Sequence, residues 1–532
     1  MTPFKAPVDD ILFTLNHVAE AGRLEAYDAE FAGDIAGHYA AFIEGVMAPL
    51  DALGDQQGAR LFEGRVVLPD GFGAAYKQHA EAGWPGLTAP EAYGGQGLGG
   101  VFQGITSEIF SGANQSLQMV MGLVPGAIRT LLDFGTEAQK AQMIPPLADG
   151  RWLATMCLTE PGAGSDLAAV RTRAEQVDGA WRISGEKIFI SGGDQDMSEG
   201  IFHLVLARTG GLEEGLRGLS LFACLSDNPD GTRNDIKVTR IEEKMGLHAS
   251  PTCQLAFEGA RAELIGEVGA GLKGMFTMMN HARIDVSLQG VAHAARAYHI
   301  ASTYASERVQ GRGADGPVTL DQHGDVRRML DEIDALAMGA RAMSHVALVA
   351  LEAGDDPWLV EFLTPVIKVH CTEAGMRAAE TGMQVLGGYG YLGEYRIEQT
   401  YRDARISAIY EGANGIHAMG LAGRMLRLKD GAAFDAFAGY IEGVLSVVES
   451  PALCRAMSAW KVARKALLNA EDIGPVAMPF MRLTGRVMEQ AMWALIGAKA
   501  PLHADPSRLQ RVAALVARQA ARCEADLAEI IT

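Results

Sequence analysis

WRISGEKIFISG, which spans residues 181–192, decides the fold class. Its alternating polar and apolar side chains are typical of a half-buried β-strand. Four further short runs follow, rich in Ile, Val, Phe and Thr and separated by Gly, Asp and Asn: IFHLVLAR at 201–208, LSLFACLS at 219–226, IKVTRIEE at 236–243 and CQLAFEG at 253–259. Together these runs predict a compact sheet or barrel between about residues 152 and 268.

Helical periodicity replaces the β pattern on both sides of this region. Apolar residues recur at three-and-four spacing in 11–24, 34–53 and 115–134, and residues 272–309 alone predict a helix of over 30 residues. The Gly- and Pro-rich stretch 83–100 breaks either periodicity and is predicted to be irregular. Segregated helices and strands favour an α+β fold over an alternating, doubly wound one.

The composition argues against several classes of function. The 532 residues include 46 Lys and Arg against 65 Asp and Glu, a formal charge of −19, and no basic patch that would suit a nucleic acid stands out. The N-terminus lacks the apolar core of a secretory signal. No run of about 18 apolar residues is apparent, so we expect no membrane span. The six scattered cysteines are expected to be buried, reduced thiols in a cytosol.

Two glycine patterns match the dinucleotide-binding fingerprint G-x-G-x-x-G, at residues 269–274 and 388–393. The fingerprint is meaningful only between a strand and a helix of a β-α-β unit. The first match precedes a helix and leaves an NAD site as an alternative, whereas no second parallel strand follows the other match. Neither an H-E-x-x-H zinc motif nor a G-x-S-x-G nucleophile motif occurs, and we predict no metal site.

Two segments combine exposed backbone amides, hydroxyls and an aromatic ring. In MCLTEPGAGSD (156–166) a Pro and two Gly form a tight turn beside the hydroxyls of Thr159 and Ser165, which can bind a flavin edge or a phosphate. In KIFISGG (187–193) a strand presents Phe189 next to a hydroxyl. Either segment by itself is more often a surface turn or a sheet-core strand.

Two further segments carry charged groups. Asn280 and Arg283 share one face of the predicted long helix, where an Arg can bind a carboxylate or phosphate through two hydrogen bonds. QVLGGYGY (384–391) is followed by YRDARISAIYEGANG (401–415), in which Glu411 lies between an apolar run and a Gly-rich turn. Desolvation there would raise the pKa of this carboxylate toward the range of a general base. By itself, a surface Arg or a solvated loop Glu is the more common interpretation.

The ordered set TEPGAGSD, KIFISGG, an Arg in a long helix, QVLGGYGY and YRDARISAIYEGANG closely resembles the acyl-CoA dehydrogenase family. The resemblance covers roughly residues 30 to 430 and points to the larger bacterial subgroup that includes 3-methylmercaptopropionyl-CoA dehydrogenases. It implies an α+β fold with an N-terminal helical domain (1–152), a central β-barrel (153–268), a C-terminal four-helix bundle (269–428) and an extra helical extension (429–532).

The resemblance also implies FAD-dependent dehydrogenation of an acyl-CoA thioester to a trans-2-enoyl-CoA. Glu411 takes the position of the base that removes the α-proton, while the β-hydrogen leaves as hydride to flavin N5. The residues expected to bind FAD are Met156, Leu158, Thr159, Phe189, Ile190, Ser191, Arg308, Gln384, Gly388, Ala413 and Asn414, with Arg308 reaching across a subunit interface. Those expected to bind the substrate are Ser165, Asn280, Arg283 and Gly412.

Some relatives carry the base in the long helix, but that position is Ala282 here, which strengthens the assignment to Glu411. Three positions depart from the usual family pattern: Phe189 replaces Trp, Ala413 replaces Thr and Gly415 replaces Gln. The missing Thr hydroxyl puts one flavin contact in question but not the chemistry.

The resemblance finally implies an electron-transferring flavoprotein as the partner that reoxidises the flavin, a cytoplasmic homodimer, and a homotetramer as the alternative assembly. Three other functions stay open. They are an acyl-CoA oxidase that uses oxygen, a non-catalytic flavin-binding protein of the same fold, and the NAD-dependent enzyme named above. The identity of the acyl group cannot be read from the sequence.

Overall fold

The computed structural model describes residues 2–531. The side chain of Asn280 is not among the described parts, so the predicted role of Asn280 in substrate binding lies outside the described residues. The chain divides into two compact units. The first contains residues 2–44, 104–113 and 283–531, and the second contains 45–103 and 114–282. The four consecutive domains expected from the sequence, and the three boundaries between them, stay predictions.

The N-terminal region is mostly helical, as its periodicity predicts. Its helices are α1 (Val8–Phe13), α2 (Ala29–Phe42), α3 (Leu50–Gln57), α4 (Phe72–Glu81), α5 (Gly100–Ala113), α6 (Gln115–Met121), α7 (Val124–Phe134) and α8 (Glu137–Ala148). A hairpin of β1 (Arg60–Phe62) and β2 (Arg65–Val67) follows α3, and its three-residue strands are too short to give a sequence pattern. The hairpin is fixed by Asp194, whose carboxylate accepts hydrogen bonds from Arg65 Nε (2.8 Å) and the Val66 amide (2.9 Å).

Seven strands form one sheet in the middle of the chain. They are β3 (Trp152–Cys157), β4 (Arg173–Val177), β5 (Ala180–Ser191), β6 (Gly200–Arg208), β7 (Leu219–Leu225), β8 (Ile236–Ile241) and β9 (Thr252–Ile265). The pairs β4–β5, β5–β9, β7–β9, β6–β7 and β8–β9 are antiparallel, and β3–β6 is parallel. The five runs predicted to be strands all form strands, β5 to β9, and β6 is buried along its whole length. The sequence pattern misses β4 because only one of its side chains is buried.

A closed barrel stays a prediction. Strand β6 pairs with β7 along its length, whereas its pairing with β4 is limited to Arg173 and Arg208. The described sheet therefore supports a central β-sheet domain between two helical regions.

The glycines at 269–274 serve packing rather than dinucleotide binding. The Gly269 amide donates a hydrogen bond to Ser220 Oγ (2.8 Å), and a Cβ on Gly271 would lie 2.3 Å from the Ser220 backbone. Strand β9, which precedes these glycines, is antiparallel to its neighbours β5, β7 and β8. The segment therefore does not form part of a β-α-β unit.

The C-terminal half is helical apart from a short hairpin. Its elements are α9 (Gly271–Glu307), β10 (Val309–Gly313), β11 (Gly316–Thr319), α10 (Gly324–Ala353), α11 (Pro357–Leu386), α12 (Ile397–Ala404) and α13 (Asn414–Gly420). The 37-residue α9 confirms the predicted long helix. Helices α9 to α12 contribute to one buried cluster of Ala, Ile, Leu, Val and Met side chains, which includes Ile300, Ile333, Val385 and Ile397. This shared core rigidly spaces the helices that carry the charged groups of the site.

The extension beyond residue 430 is helical, as predicted. It consists of α14 (Ala432–Val447), α15 (Pro451–Leu468), α16 (Gly474–Lys499), α17 (Pro506–Arg518) and α18 (Ala521–Ile531). The ring of Phe437 stacks on that of Phe362 of α11 at 4.6 Å, and within the extension the rings of Phe434 and Trp460 are stacked 5.7 Å apart. Arg508 also pairs with Asp10 at 2.7 Å, so the extension belongs to the same packed unit as α1.

Contrary to the expectation of no membrane span, two segments are apolar enough to cross a membrane by length and composition, Gln115–Phe134 and Gly324–Ala353. The most apolar window of Gly324–Ala353 is 94% buried inside the fold, and that of Gln115–Phe134 is 61% buried. Protein packing therefore accounts for most of this apolar character. Five of the six cysteines are buried, and Cys454 is exposed, contrary to expectation. Within the described residues no group of three His, Cys, Asp or Glu side chains could hold a metal ion.

Candidate active site

The loop that carries Glu411 has an unusual backbone. Glu411 has φ +55° and Gly412 has φ +93°, so two consecutive residues lie in the left-handed region before α13 begins. A Cβ at Gly412 would lie 2.7 Å from Nε2 of His417, which donates a hydrogen bond to the Glu411 carbonyl (3.1 Å). Such backbone conformations persist only where the surroundings enforce them, and they concentrate at functional sites. The glycine of the predicted Glu-Gly pair is therefore required by geometry.

A buried lysine on α11 anchors the loop that carries Glu411. Lys368 is fully buried, and its Nζ donates hydrogen bonds to the Gly412 carbonyl (2.8 Å) and to Asn414 Oδ1 (2.9 Å). The amide of Asn414 in turn donates to Thr372 Oγ1 (3.2 Å). The side chain of Asn414 is thus engaged inside the protein, where it positions the loop. Its predicted contact with FAD stays a prediction, as does that of Ala413, which precedes α13.

The environment of Glu411 gives its carboxylate the properties of a base. The Oε2 atom is buried and has no hydrogen-bond partner among the described residues. Burial raises the pKa of Glu411 to about 7, although the positive charges of Arg283 and Lys368 oppose the rise and only the negative charge of Asp285 adds to it. Burial likewise lowers the pKa of Lys368 to about 8, against the pull of Glu411. A carboxylate with a pKa near neutrality can both accept and release a proton at physiological pH.

This pKa predicts how the proton-transfer step depends on pH. The raised pKa means that Glu411 is ionised, and able to accept a proton, only above about pH 7. For the predicted role of Glu411 as the base, the rate constant of substrate-dependent flavin reduction is expected to rise through about pH 7 and to fall roughly tenfold per pH unit below it. Anaerobic stopped-flow measurement across this range tests the prediction. A rate constant that stays level down to about pH 5 would contradict it, because an exposed Glu titrates near its ordinary pKa.

In the second unit a buried ion pair joins the two segments expected to bind FAD. Lys187 on β5 is fully buried, and its Nζ donates hydrogen bonds to the Leu158 carbonyl (3.0 Å) and to Glu160 Oε1 (2.8 Å). Burial alone would raise the pKa of Glu160, but Lys187 and neighbouring hydrogen bonds hold it below its usual value. The Ile188 amide also donates to the Thr159 carbonyl (2.9 Å). The segments around 158 and 189 are therefore fixed side by side.

The surface that these segments present suits a flat, polar-edged cofactor. Phe189 has φ +59° at an irregularity of β5 and is 60% exposed, which is unusual for a large apolar residue within a strand. The side chains of Thr159 and Ser191 are half-buried, so their hydroxyls are partly accessible at this surface. Accessible hydroxyls beside an exposed ring fit the predicted flavin contacts. Ile190 is 1% exposed, so only its backbone can contribute.

The remaining predicted residues occupy several places. Met156 is half-buried in β3, and Ser165 is exposed in the turn that follows it. In the first unit, the guanidinium of Arg308 stacks on the ring of Tyr389 at 5.4 Å. Gln384 and Gly388 are exposed just before that ring. The structure therefore groups Arg308, Gln384 and Gly388 at one end of α11.

Sequence reasoning missed the lysines and the acid that support the site. Glu160 and Lys187 lie within the two segments singled out for FAD, Lys368 lies on α11, and each of the three is at most 6% exposed. A charged residue within an apolar run, as in IKVHC or EKIFI, is a usable signal because burying an unpaired charge is strongly unfavourable. The partner of such a residue cannot be read from sequence, since it depends on the fold.

Three family profiles of acyl-CoA dehydrogenases match consecutive parts of this chain: the N-terminal domain at residues 40–151, the middle domain at 155–260 and the C-terminal domain at 269–426. The chain belongs to the acyl-CoA dehydrogenase family. It is therefore an oxidoreductase of a family of flavoproteins that bind FAD and dehydrogenate acyl-CoA thioesters.

Individual relatives agree with this assignment of an acyl-CoA dehydrogenase. The chain is 40% identical over 523 residues to 3-methylmercaptopropionyl-CoA dehydrogenase of Ruegeria pomeroyi, which covers 91% of this chain and 89% of that protein. It is 34% identical to the broad-specificity linear acyl-CoA dehydrogenase FadE5 of Mycobacterium tuberculosis, over 83% of this chain and 78% of that one. An FAD complex of a Bacillus anthracis acyl-CoA dehydrogenase has the same fold, with a TM-score of 0.76 at 23% identity, over 96% and 88% of the two chains.

Proposed function

We propose that this acyl-CoA dehydrogenase uses Glu411 to remove the α-proton of an acyl-CoA thioester and forms a trans-2-enoyl-CoA. The buried, unpaired Oε2 of Glu411 and its pKa of about 7 carry the proposal. Bound FAD supplies the acceptor for the hydride that leaves the β-carbon. The proton stays on Glu411 and is later released to solvent, so the substrate loses one proton and one hydride.

The backbone of the same loop is suited to stabilise the enolate that forms. The amide N–H of Glu411 donates to no acceptor among the described residues, and the left-handed backbone of Glu411 and Gly412 keeps it out of the flanking helices. In our proposal this N–H donates to the thioester oxygen as negative charge develops there. A preorganised donor of this kind contributes about 3 to 4 kcal/mol to the stability of a transition state.

The other contacts predicted from the sequence are also part of the proposal. Arg283, whose pKa is lowered by burial, together with Ser165, Asn280 and Gly412, is proposed to bind the CoA thioester. The FAD contacts are proposed for Met156, Leu158, Thr159, Phe189, Ile190, Ser191, Arg308, Gln384, Gly388, Ala413 and Asn414. We also propose that the sheet closes into a barrel and that the domain boundaries fall as the sequence implies.

The substrate, electron acceptor and assembly are proposals drawn from relatives. The 40% identity to 3-methylmercaptopropionyl-CoA dehydrogenase makes a short acyl-CoA, with or without a thioether, the first substrate to test. We propose that an electron-transferring flavoprotein reoxidises the enzyme, and that a cytoplasmic homodimer is the working form. The extension packs on α11, where it would cover a surface otherwise open to a second dimer. Size-exclusion chromatography with light scattering separates the dimer from the tetramer.

Turnover with defined acceptors tests the reaction class. Purified enzyme is mixed with 3-methylmercaptopropionyl-CoA or butyryl-CoA, either with ferrocenium and no oxygen, or with oxygen alone. We expect enoyl-CoA formation with ferrocenium and only slow peroxide release with oxygen. Rapid stoichiometric peroxide formation would instead establish an acyl-CoA oxidase, and FAD binding without reduction by any thioester would indicate a non-catalytic protein.

A further inference from the structure

A chain of polar side chains leads from α5 to the residue before the base. Tyr410 donates its hydroxyl hydrogen to Gln289 Oε1, and Gln289 Nε2 donates to Asp285 Oδ2 (2.8 Å). Ser107 Oγ donates to Asp285 Oδ1. Each donor meets a matching acceptor, so the direction of every hydrogen bond is fixed by the carboxylate at the centre. We call these four side chains the Asp285 relay.

The relay is anchored in a rigid part of the first unit. Ser107 and Gln289 are buried, and Asp285 and Gln289 lie one turn apart on α9. The residue after Ser107 on α5 is Glu108, which pairs with Arg341 at 2.8 Å, with both side chains 1% exposed. Buried polar networks with matched partners favour one arrangement over others. The outer end of the relay therefore cannot shift without breaking a buried ion pair.

Tyr410, the member of the relay next to Glu411 in the chain, links the relay to the base. Tyr410 is the preceding residue, and burial, together with the charges of Asp285 and Glu411, holds the pKa of its phenol well above 10. The charged groups that face Glu411 are Arg283 and Asp285 on α9 and Lys368 on α11. His417 on α13 contacts the Glu411 carbonyl, and burial lowers its pKa to about 4, so it is neutral near pH 7. Asp285 is thus the anion that opposes the effect of the two cations, Arg283 and Lys368, on the pKa of Glu411.

We propose that the Asp285 relay positions Glu411 for proton abstraction and sets the pH range in which it works. The inference rests on Glu411 being the base. The negative charge of Asp285 lies near the Glu411 carboxylate. It makes Glu411 a stronger base than it would be beside the positive charges of Arg283 and Lys368 alone. Tyr410, held by Gln289, fixes where the left-handed turn begins. These four residues are positioning residues, because each acts through Glu411.

The test separates the charge of Asp285 from the tether of Tyr410. Asp285→Asn removes the charge but keeps the relay, since its amide can donate to Ser107 and its oxygen can accept from Gln289. We expect the pH midpoint of flavin reduction to move down by roughly one unit. Tyr410→Phe keeps the charge and cuts the tether, and we expect a fall of roughly tenfold in the rate constant at every pH, with a midpoint within about 0.3 units of wild type. Ser287→Ala is the matched control. Ser287 is a buried serine between Asp285 and Gln289 on α9, and its hydroxyl bonds to Ser344 and to no member of the Asp285 relay.

A second readout does not depend on turnover. The protonation of Glu411 is followed in the oxidised, substrate-free enzyme by the infrared carboxyl band that Glu411→Gln abolishes. In Asp285→Asn the titration of this band should move down by the same amount as the kinetic midpoint, and in Ser287→Ala neither should move. Unchanged midpoints in Asp285→Asn, with wild-type enzyme still reduced by acyl-CoA, would overturn the relay. Wild-type enzyme that no acyl-CoA reduces would instead overturn the proposed function.

Discussion

Glu411→Gln should slow the reduction of bound FAD by acyl-CoA by about 10²- to 10⁴-fold, the usual contribution of a positioned general base. Glutamine has nearly the same shape but cannot accept the α-proton. The loop itself should persist, because Lys368 and His417 hold the carbonyls of Gly412 and Glu411 rather than the carboxylate. The rate constant is measured by anaerobic stopped-flow absorbance under saturating substrate.

Two controls show whether the loss is chemical. The visible spectrum and FAD content of Glu411→Gln should match wild type, and so should its affinity for an enoyl-CoA product. Glu411→Asp, which keeps the carboxylate on a shorter stem, should retain part of the rate. A Gln variant that reduces its flavin within about tenfold of wild type would place the base elsewhere on the chain.

Lys187→Met should be the most destabilising single change at the site. It leaves Glu160 buried without its partner, and breaking a buried ion pair from one side costs about 3 to 5 kcal/mol. The same change frees the Leu158 carbonyl, so the segments around 158 and 189 lose their fixed spacing. We expect a lower thermal midpoint and weaker retention of FAD during gel filtration. Thermal unfolding followed by tryptophan fluorescence, with FAD release followed in parallel, measures both.

The double variant Lys187→Met/Glu160→Gln is the matched control, because it removes both charges. Replacing a buried pair by neutral groups is often nearly neutral for stability, so the double variant should recover much of the loss. A double variant as unstable as Lys187→Met would show that the lysine contributes by packing alone. A fully stable Lys187→Met variant would contradict the buried ion pair itself.

The fold was largely predictable where periodicity was strong and continuous. The 37 residues of α9 show one uninterrupted helical pattern, and β5 shows a clear alternation of polar and apolar residues. Strand β4 shows no such pattern, because RAEQV is mostly exposed and polar. It forms a strand through its pairing with β5. The short hairpin of β1 and β2 owes its position to Asp194, more than 120 residues away in sequence.

The Glu411 loop stands out in the sequence by its motif, but the contacts that support it do not. Glu411 stands out because an apolar run and a Gly-rich turn flank it. Lys368 looks like one more helical lysine in the sequence, and only the fold brings its Nζ to the Gly412 carbonyl. Asp285 and Ser107 are likewise 178 residues apart and become neighbours through helix packing. Contacts between polar or charged residues that are far apart in the chain are the part of such a site that cannot be predicted from a single sequence.

The central claim is that an acyl-CoA reduces FAD held by this chain and that Glu411 takes the proton. The most direct test is an anaerobic titration of wild-type enzyme and Glu411→Gln with 3-methylmercaptopropionyl-CoA and with butyryl-CoA, followed by the visible spectrum. We predict that at least one thioester bleaches the yellow wild-type enzyme at one equivalent per flavin, while the Gln variant stays yellow over the same time. A protein that cannot be loaded with FAD, or a Gln variant that bleaches as fast as wild type, would contradict the claim.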